Sequence, residues 1–317
     1  LIGNKDKSKI DILLKEYIKN HKRYVKFYND RKLDFEDMLI SDYNHIRAFI
    51  KIEDGCDNFC SYCIIPYVRG SVRSKNFETV IKEAKLLTQK GHKEIVLTGI
   101  HTGHYMDNGY DLTDLINELS KIEDLLRIRI SSIEITELND KFLNMLSTNK
   151  KVCDHLHIPL QAGSDEILKK MNRKYDLKYY EEKIKKIRMI RPNISITTDI
   201  IVGFPYETDK LFNETLEFSR KMNFSKIHVF PYSIRLGTSA ANMPNQVDES
   251  IKKERVKKLM DLSETMEKEY YNKFVGKELD ILVEECDNNV SIGHSSNYLM
   301  IRLNEKLEVG QIYKRII

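Results

Sequence analysis

The chain has 317 residues, of which 41% are hydrophobic and 32% are charged, with a formal net charge of +4. No apolar run approaches the ~20 residues that a membrane-spanning helix needs, and a chain of this length can bury a large core without disulfides. We therefore expect a soluble, monomeric, cytoplasmic protein with one large domain, a small second domain and reduced cysteines.

Basic residues cluster in two segments of the chain. Residues 1–35 hold ten Lys or Arg against five Asp or Glu, and residues 166–191 hold ten against four. Such clusters are typical of phosphate binding, although a solvated lysine-rich helix face produces the same pattern. Charge alone therefore leaves a nucleic-acid partner open.

The pattern of elements changes at residue 46. Residues 1–45 are polar with one amphipathic segment near residues 10–18, and we interpret them as a linker that follows an upstream domain. Beyond them, β-branched runs alternate with segments of helical period, including a helix from Phe77 to Leu87 that Gly91 ends and another that stops before Pro192. The predicted strands are 46–52, 94–98, 127–131, 155–160, 195–202 and 226–230.

Six strand–helix units in succession predict parallel strands joined by right-handed crossovers. Because a closed TIM barrel has eight units, the predicted fold class is α/β with a partial, open (β/α)6 barrel over residues 46–248. The active site of such a barrel lies at the carboxyl ends of its strands. A charged connecting helix is expected over 249–275, and the β-rich residues 276–317 predict a small five-stranded barrel.

Three cysteines, Cys56, Cys60 and Cys63, directly follow the first predicted strand with the spacing C-x3-C-x2-C. Thiolates are soft ligands for iron–sulfur clusters and zinc, and three of them leave one metal position open. The pattern therefore favours a four-iron–four-sulfur (4Fe-4S) cluster. A zinc site is the alternative, and it needs a fourth ligand from residues that lack paired zinc-type spacing, namely Cys153, His155, His157 or Cys286.

Residues 51–70, with the sequence KIEDGCDNFCSYCIIPYVRG, resemble the signature of the radical S-adenosylmethionine (SAM) methylthiotransferases. Blocks at 97–99, 157–161, 171–175, 199–205 and 229–233 resemble the same family, so the resemblance covers residues 46–317. It implies a radical SAM barrel followed by an RNA-binding TRAM barrel, with SAM bound at the free iron of a 4Fe-4S cluster on the three cysteines. An external electron donor would start SAM cleavage, and the product would be a methylthiolated C–H position.

One branch of this family is favoured over the others. Residues 60–66, 73–74, 171–175 and 234–238 are similar to the enzymes that act on threonylcarbamoyladenosine at position 37 of tRNA. The alternatives are a methylthiotransferase for isopentenyladenosine in tRNA or for a ribosomal protein. The non-enzyme alternative is a zinc-stabilised RNA-binding protein.

The family also carries an N-terminal domain whose three further cysteines hold a second 4Fe-4S cluster, the source of sulfur. Here residues 1–7 resemble only the last strand of that domain, and no cysteine precedes Cys56. We therefore expect this chain to bind the first cluster and SAM without completing sulfur transfer, and the second cluster to occur in the full-length enzyme only. Smaller departures from the family are Ala162, Tyr206 and Lys75, where serine, glycine and arginine are usual.

The resemblance and the predicted strand ends together give the candidate ligand-binding residues. Arg173 is the expected partner of a SAM carboxylate because the guanidinium fork matches that geometry. The residues expected near SAM are Tyr62, Thr98, Gly99, Ser132, Gln161, Arg173, Gly203, Phe204 and Phe230. In the C-terminal strands, the RNA candidates are Tyr298 for stacking and Arg302, Lys314 and Arg315 for phosphates. The structural alternatives are that Gly99 is an ordinary loop glycine, that Arg173 is a surface arginine, and that the charges of the C-terminal strands only increase solubility.

Overall fold

A computed structural model describes residues 1–3, 7–25, 34–40 and 43–317, so parts of the predicted linker lie outside the described residues. The helices are α1 (Ile10–Asn20), α2 (Ile65–Arg69), α3 (Phe77–Gln89), α4 (Leu112–Leu119), α5 (Asp140–Thr148), α6 (Asp165–Lys170), α7 (Leu177–Ile190), α8 (Asp209–Met222) and α9 (Glu249–Asn272). The strands are β1 (Ala48–Lys51), β2 (Glu53–Asp54), β3 (Arg73–Ser74), β4 (Glu94–Thr98), β5 (Met106–Asp107), β6 (Tyr110–Asp111), β7 (Arg127–Ile130), β8 (His155–His157), β9 (Ser195–Val202), β10 (Lys226–Pro231), β11 (Glu278–Asp287), β12 (Val290–Ser295), β13 (Met300–Leu303) and β14 (Ile312–Ile316).

Six parallel strands form the large unit, in the order in which they occur along the chain. Strands β1, β4 and β7 make one parallel group, and β8, β9 and β10 make the other. A bridge between Ile128 and Val152 joins the two groups. Among the described residues β1 and β10 form no ladder with each other, so the predicted open α/β arrangement is confirmed.

Local sequence signals set where the predicted elements begin and end. The Asn76 side chain caps α3 by accepting a hydrogen bond from the Thr79 N–H at 3.0 Å. The helix ends at Gln89, and Gly91 follows with a φ of 98°. Strand β8 ends at His157 rather than at the predicted residue 160, because the Leu160 N–H donates to the Thr198 hydroxyl at 2.8 Å instead of to a carbonyl of β9.

The C-terminal sheet has four antiparallel strands in the order β13-β12-β11-β14, so the prediction of five strands is wrong. Strand β11 is ten residues long, pairs on both sides and carries an irregularity between Val283 and Glu285. Part of the segment between β13 and β14 meets this irregularity through the Gly310 N–H, which donates to the Val283 carbonyl at 2.8 Å. The Val283 N–H in turn donates to the Gln311 carbonyl at 3.0 Å, so these bonds extend the contact of β11 with the residues that precede β14.

Buried charges join this sheet to the amino-terminal ends of the barrel strands. Glu94 begins β4, has no exposed surface and accepts hydrogen bonds from Arg129 Nε at 2.7 Å and Arg127 Nη1 at 3.4 Å. The same guanidinium groups donate to the carbonyls of His294 at 3.0 Å and Ser296 at 3.3 Å. The C-terminal sheet therefore covers the end of the barrel opposite the cysteines.

Helix α1 confirms the predicted amphipathic segment near residues 10–18, and it buries none of its side chains. Among the described helices, none combines the length and apolar character that are needed to cross a bilayer.

Replacing Glu94 tests the buried charge cluster. Glu94→Ala leaves two buried guanidinium groups without their carboxylate, and breaking such a pair costs about 3–5 kcal/mol of unfolding free energy. The matched control is Glu118→Ala, since Glu118 pairs with Lys121 at the surface and exposed pairs contribute under about 1 kcal/mol. Chemical denaturation measures both variants. Equal effects would show that Glu94 does not hold the sheet to the barrel.

Candidate metal and cofactor site

The loop that carries the three cysteines lies between β2 and α2, beside the carboxyl end of β1. The Cys56 N–H donates to the Gly70 carbonyl at 3.1 Å, and the Cys63 N–H donates to the Cys60 carbonyl at 2.9 Å. All three thiols are free and partly exposed. Burial raises the pKa of the Cys63 thiol, and the neighbouring Cys60 and Cys56 thiols add to the increase. Three thiols that interact in one partly open loop fit the ligand set of an iron–sulfur cluster.

Backbone contacts from distant segments hold the middle of this loop. The Ser61 N–H donates to the Met171 carbonyl at 3.0 Å, while the Ser61 carbonyl accepts from the Ala240 N–H at 2.8 Å. The Asn172 amide donates to the Phe59 carbonyl at 2.9 Å. The loop is therefore attached to the segments that follow α6 and β10, in addition to its own strand.

One carboxylate ties the two ends of the loop together. Asp54, nearly buried, pairs with Lys51 at 2.6 Å before the loop and with Arg73 at 2.7 Å and Arg69 at 3.2 Å after it. Burial opposes ionisation of Asp54, but the Lys51 hydrogen bond and the two guanidinium charges hold its pKa below the ordinary value.

Arg173 lies against the cluster of thiols rather than on the surface. Its Nη1 group donates to Cys60 Sγ at 3.3 Å, and its Nη2 group forms an ion pair with Glu134. Its Nε donates to the Tyr175 hydroxyl at 3.2 Å, and the Tyr62 hydroxyl lies 3.5 Å from Nη1. Burial raises the pKa of Glu134, and the Arg173 charge opposes that increase. The carboxylate that Arg173 meets in this structure is thus Glu134, which the sequence analysis missed.

His101 is a second residue beside the sulfurs that the sequence analysis missed. Its Nδ1 lies 3.8 Å from Cys56 Sγ, and its Nε2 contacts the Glu137 carboxylate. Burial lowers its pKa, but hydrogen bonds with Cys56 and Glu137 outweigh burial and raise the pKa to about 10. The His104 ring stacks on it with a centroid distance of 3.8 Å. The available signal was a histidine three residues beyond the end of a predicted strand.

Several predicted cofactor residues lie at the same end of the barrel as the cysteines. Thr98 ends β4, Gly99 follows it beside the Glu53 side chain, and Ser132 follows β7. Gln161 is almost buried, and its N–H donates to the Asp199 carbonyl at 2.8 Å. These positions agree with a site at the carboxyl ends of the strands, while their contacts with SAM stay a prediction.

The other predicted positions are less open to a ligand. Gly203 has a φ of 71°, and a Cβ there would come within 2.3 Å of Lys252 Cγ, so backbone conformation and the packed Lys252 side chain account for this glycine. The Phe204 ring has no exposed surface and packs edge-on against Tyr232. By contrast, Phe230 is 49% exposed. The Phe204 ring therefore belongs to the core, and a contact of Phe204 with SAM stays a prediction.

The four alternative zinc ligands make contacts elsewhere. Cys153 is fully buried, and burial raises its thiol pKa to about 12. His155 and His157 both contact the Thr197 hydroxyl, at 3.0 Å and 2.9 Å. Cys286 lies in β11 of the C-terminal sheet. The described contacts of these four groups do not include the three loop cysteines, which removes the basis of the proposed four-ligand zinc site.

The four candidate RNA-binding residues of the C-terminal sheet differ in their exposure and in their contacts. The Tyr298 ring stacks on His155 and His294, with centroid distances of 4.7 Å and 4.9 Å. Arg302 and Lys314 are exposed on the two edge strands, β13 and β14. Arg315 donates two hydrogen bonds to the Glu305 carboxylate. Tyr298 and Arg315 thus already have partners within the protein.

Comparison with known proteins agrees with this geometry. The profile of the Radical SAM superfamily matches residues 50–219. The threonylcarbamoyladenosine tRNA methylthiotransferase MtaB of Bacillus subtilis is 40% identical over 311 residues, which cover 95% of this chain and 69% of that protein. The chain belongs to the tRNA methylthiotransferases of the radical SAM superfamily. The expectation of an enzyme from this family is therefore confirmed.

Two other relatives of this methylthiotransferase chain are informative. The tRNA-2-methylthio-N(6)-dimethylallyladenosine synthase of Thermoanaerobacter sp. is also 40% identical, over 287 residues that cover 90% of this chain and 61% of that protein. Coproporphyrinogen III oxidase of Escherichia coli, a radical SAM enzyme, superposes with a TM-score of 0.53 at 16% identity, covering 73% of this chain and 54% of that one. The latter likeness shows the shared fold.

Gly55 provides a test of the loop geometry. Its φ is 90°, and a Cβ there would lie 2.1 Å from the Ser71 carbonyl oxygen. We expect Gly55→Ala to displace the loop and to reduce the iron bound per chain after anaerobic reconstitution. The control is Gly91→Ala, because Gly91 has a φ of 98° but open space around a Cβ, so it carries only backbone strain of about 1–3 kcal/mol. Iron binding that is equal in both variants would contradict the packing argument.

Proposed function

We propose that this chain is the radical-generating part of a tRNA methylthiotransferase that acts on threonylcarbamoyladenosine. The observation that carries the proposal is the position of Cys56, Cys60 and Cys63 in one partly open loop beside the carboxyl end of β1, with N–H donors from Asn58 and Arg173 directed at two of the sulfurs. Three thiolates suit a 4Fe-4S cluster that leaves one iron free for SAM. When bound, the cluster and SAM supply a 5′-deoxyadenosyl radical for hydrogen abstraction, after an external donor provides one electron.

The contribution of the protein is to fix this site and to limit water. Ion pairs at Asp54 close the cysteine loop, and the contacts of Ser61 hold its centre. Tyr175 is 9% exposed and Tyr62 is half-buried, and both lie beside Arg173 on the Cys60 side of the loop. Aromatic side chains in that position exclude water and other hydrogen donors from the space beside the sulfurs.

Threonylcarbamoyladenosine is the substrate that we favour. The Bacillus subtilis relative, named for this substrate, aligns over 95% of the chain, and the Thermoanaerobacter relative, named for dimethylallyladenosine, aligns over 90% at the same identity. The blocks at 60–66, 73–74 and 234–238 support the first of these two substrates.

RNA binding on the cysteine side of the barrel is supported by exposed lysines. Lys169 lies at the end of α6 and Lys174 soon after it, and both are exposed. Between them, Asn172 bonds to the cysteine loop at Phe59, so the two ammonium groups flank a segment that touches the site. Lysines there attract the phosphates of a bound RNA. We also propose that residues 276–317 add RNA contacts through Arg302 and Lys314, which are exposed.

The sulfur donor is proposed to require a second set of cysteines. The chain has five cysteines, and the two outside the loop are Cys153, which is fully buried, and Cys286, which lies in the C-terminal sheet. They cannot hold another three-thiolate cluster together. We therefore propose that these 317 residues generate the radical and that a further domain of the full-length enzyme provides the sulfur.

Metal analysis tests the cluster. After anaerobic reconstitution we expect about four iron atoms per chain, as a 4Fe-4S cluster requires, together with visible charge-transfer absorption and slow cleavage of SAM on reduction. Cys60→Ala should lose most of the iron, whereas Cys286→Ala should retain it because Cys286 lies in the C-terminal sheet. One tightly bound zinc per chain, without the absorption, would overturn the proposal.

Deuterium transfer tests the substrate without requiring sulfur insertion. Anticodon stem-loop RNAs with deuterium at carbon 2 of the modified adenine are incubated with the reconstituted, reduced chain and SAM. We expect deuterium in the 5′-deoxyadenosine product with threonylcarbamoyladenosine RNA, and much less with isopentenyladenosine RNA. Equal or greater transfer from the isopentenyl RNA would contradict the substrate assignment. Methylthiolated RNA formed by this chain alone would contradict the need for a second cluster.

A further inference from the structure

One short turn after β7 carries two carboxylates, and each lies beside a side chain that reaches a different cysteine. The turn is the 3-10 segment Ile135–Glu137, preceded by Glu134, and each carboxylate accepts the backbone N–H of the other residue in a reciprocal cap. Glu134 pairs with Arg173, which donates to Cys60 Sγ at 3.3 Å. Glu137 contacts His101, whose Nδ1 lies 3.8 Å from Cys56 Sγ.

We infer that His101, held by Glu137, is a positioning residue that donates a hydrogen bond to the Cys56 thiolate and makes the cluster easier to reduce. The inference rests on the proposed cluster at the three cysteines. His101 was not among the residues predicted from the sequence, and its contact with Cys56 is seen only in the structure.

The geometry around His101 directs its Nδ1 at a sulfur. Nε2 lies against the Glu137 carboxylate, so Nδ1 is the ring nitrogen that can donate to Cys56. The Glu53 carboxylate accepts the backbone N–H of Ile100 at 2.8 Å and that of His101 at 2.6 Å, which fixes the main chain beside the ring. The ring is 5% exposed, so its orientation is set by these contacts rather than by water.

A hydrogen bond to a cluster sulfur changes the reduction potential in a known direction. Reduction adds negative charge to the cluster and its thiolates, and a donor stabilises the reduced form more than the oxidised form. Removing the donor from Cys56 should therefore make the potential more negative. Arg173 acts in the same sense on Cys60, so the two carboxylates of one turn set the donors of two ligands.

A divalent cation bound by His101, His104 and Glu137 is the competing interpretation. Their ligand atoms lie within 4.8 Å of one another. However, the imidazole rings are stacked, with an interplanar angle of 28°. Lone pairs of two nearly parallel rings do not point to a common metal at about 2.1 Å from each nitrogen. The observed arrangement therefore favours a hydrogen-bonded pair, with His104 as its half-exposed cover.

The test is the midpoint potential of the reconstituted cluster, measured by a redox titration followed by electron paramagnetic resonance. We expect His101→Leu and Glu137→Gln to shift the potential to more negative values at near wild-type iron content. His101→Asn, which keeps an N–H near the position of Nδ1, should recover part of the shift. His104→Ala is the comparison variant, since the described contacts of His104 include Glu137 Oε1 at 3.4 Å but not Cys56, and it should shift the potential less than His101→Leu.

Other outcomes overturn the inference. An unchanged potential in His101→Leu, or in Glu137→Gln if His101→Leu retains no iron, removes the role of His101. Zinc that raises the melting temperature of the cluster-free protein only when His101, His104 and Glu137 are all intact would assign a cation site instead. If the wild-type chain itself holds no cluster, the proposed function fails. If the wild-type chain holds a cluster but the variants leave its midpoint potential unchanged, only the role of His101 fails.

Discussion

The pairing of Asp54 with cations on both sides of the cysteine loop is the contact on which the site depends. Asp54 precedes the first cysteine, and Arg69 and Arg73 follow the last one, so a single carboxylate closes the segment. Closing a flexible loop costs conformational entropy, and its cost would otherwise oppose the convergence of three thiols. Because Arg73 is largely buried, removing Asp54 would leave its guanidinium with carbonyl acceptors but no opposite charge.

The two ends of the barrel have different tasks. The carboxyl ends of the strands carry the thiols, Arg173 and His101, whereas the amino ends carry the buried Glu94 with Arg127 and Arg129. Such barrels generally place their catalytic residues at the carboxyl ends of the strands and their stabilising residues at the amino ends. Here the C-terminal sheet is attached at the stabilising end, through the carbonyls that accept hydrogen bonds from Arg127 and Arg129.

Patterns along the chain predicted what depends on local sequence, and missed what depends on pairing between distant segments. Strands 94–98 and 195–202 have the predicted bounds because β-branched runs and turn residues delimit them. The shortened β8 follows from a hydrogen bond between the Leu160 N–H and the Thr198 side chain, which lies on a different strand. The pairs of Arg173 with Glu134 and of His101 with Glu137 join separate strand ends, and no spacing in the sequence indicates them.

The missed pairs share a physical cause that connects the fold to the site. Parallel strands bring their carboxyl ends together, so charged residues that follow different strands become neighbours there even when they are far apart in sequence. Near the thiols, a cation without a carboxylate would be costly to bury, and a carboxylate without a cation would repel the thiolates. Glu134 and Glu137 offset the cost of burying the cations, while Arg173 and His101 offset the repulsion between the carboxylates and the thiolates. The carboxylates therefore explain why the cationic groups are tolerated in buried positions beside the three cysteines, and the cationic groups explain why the carboxylates are.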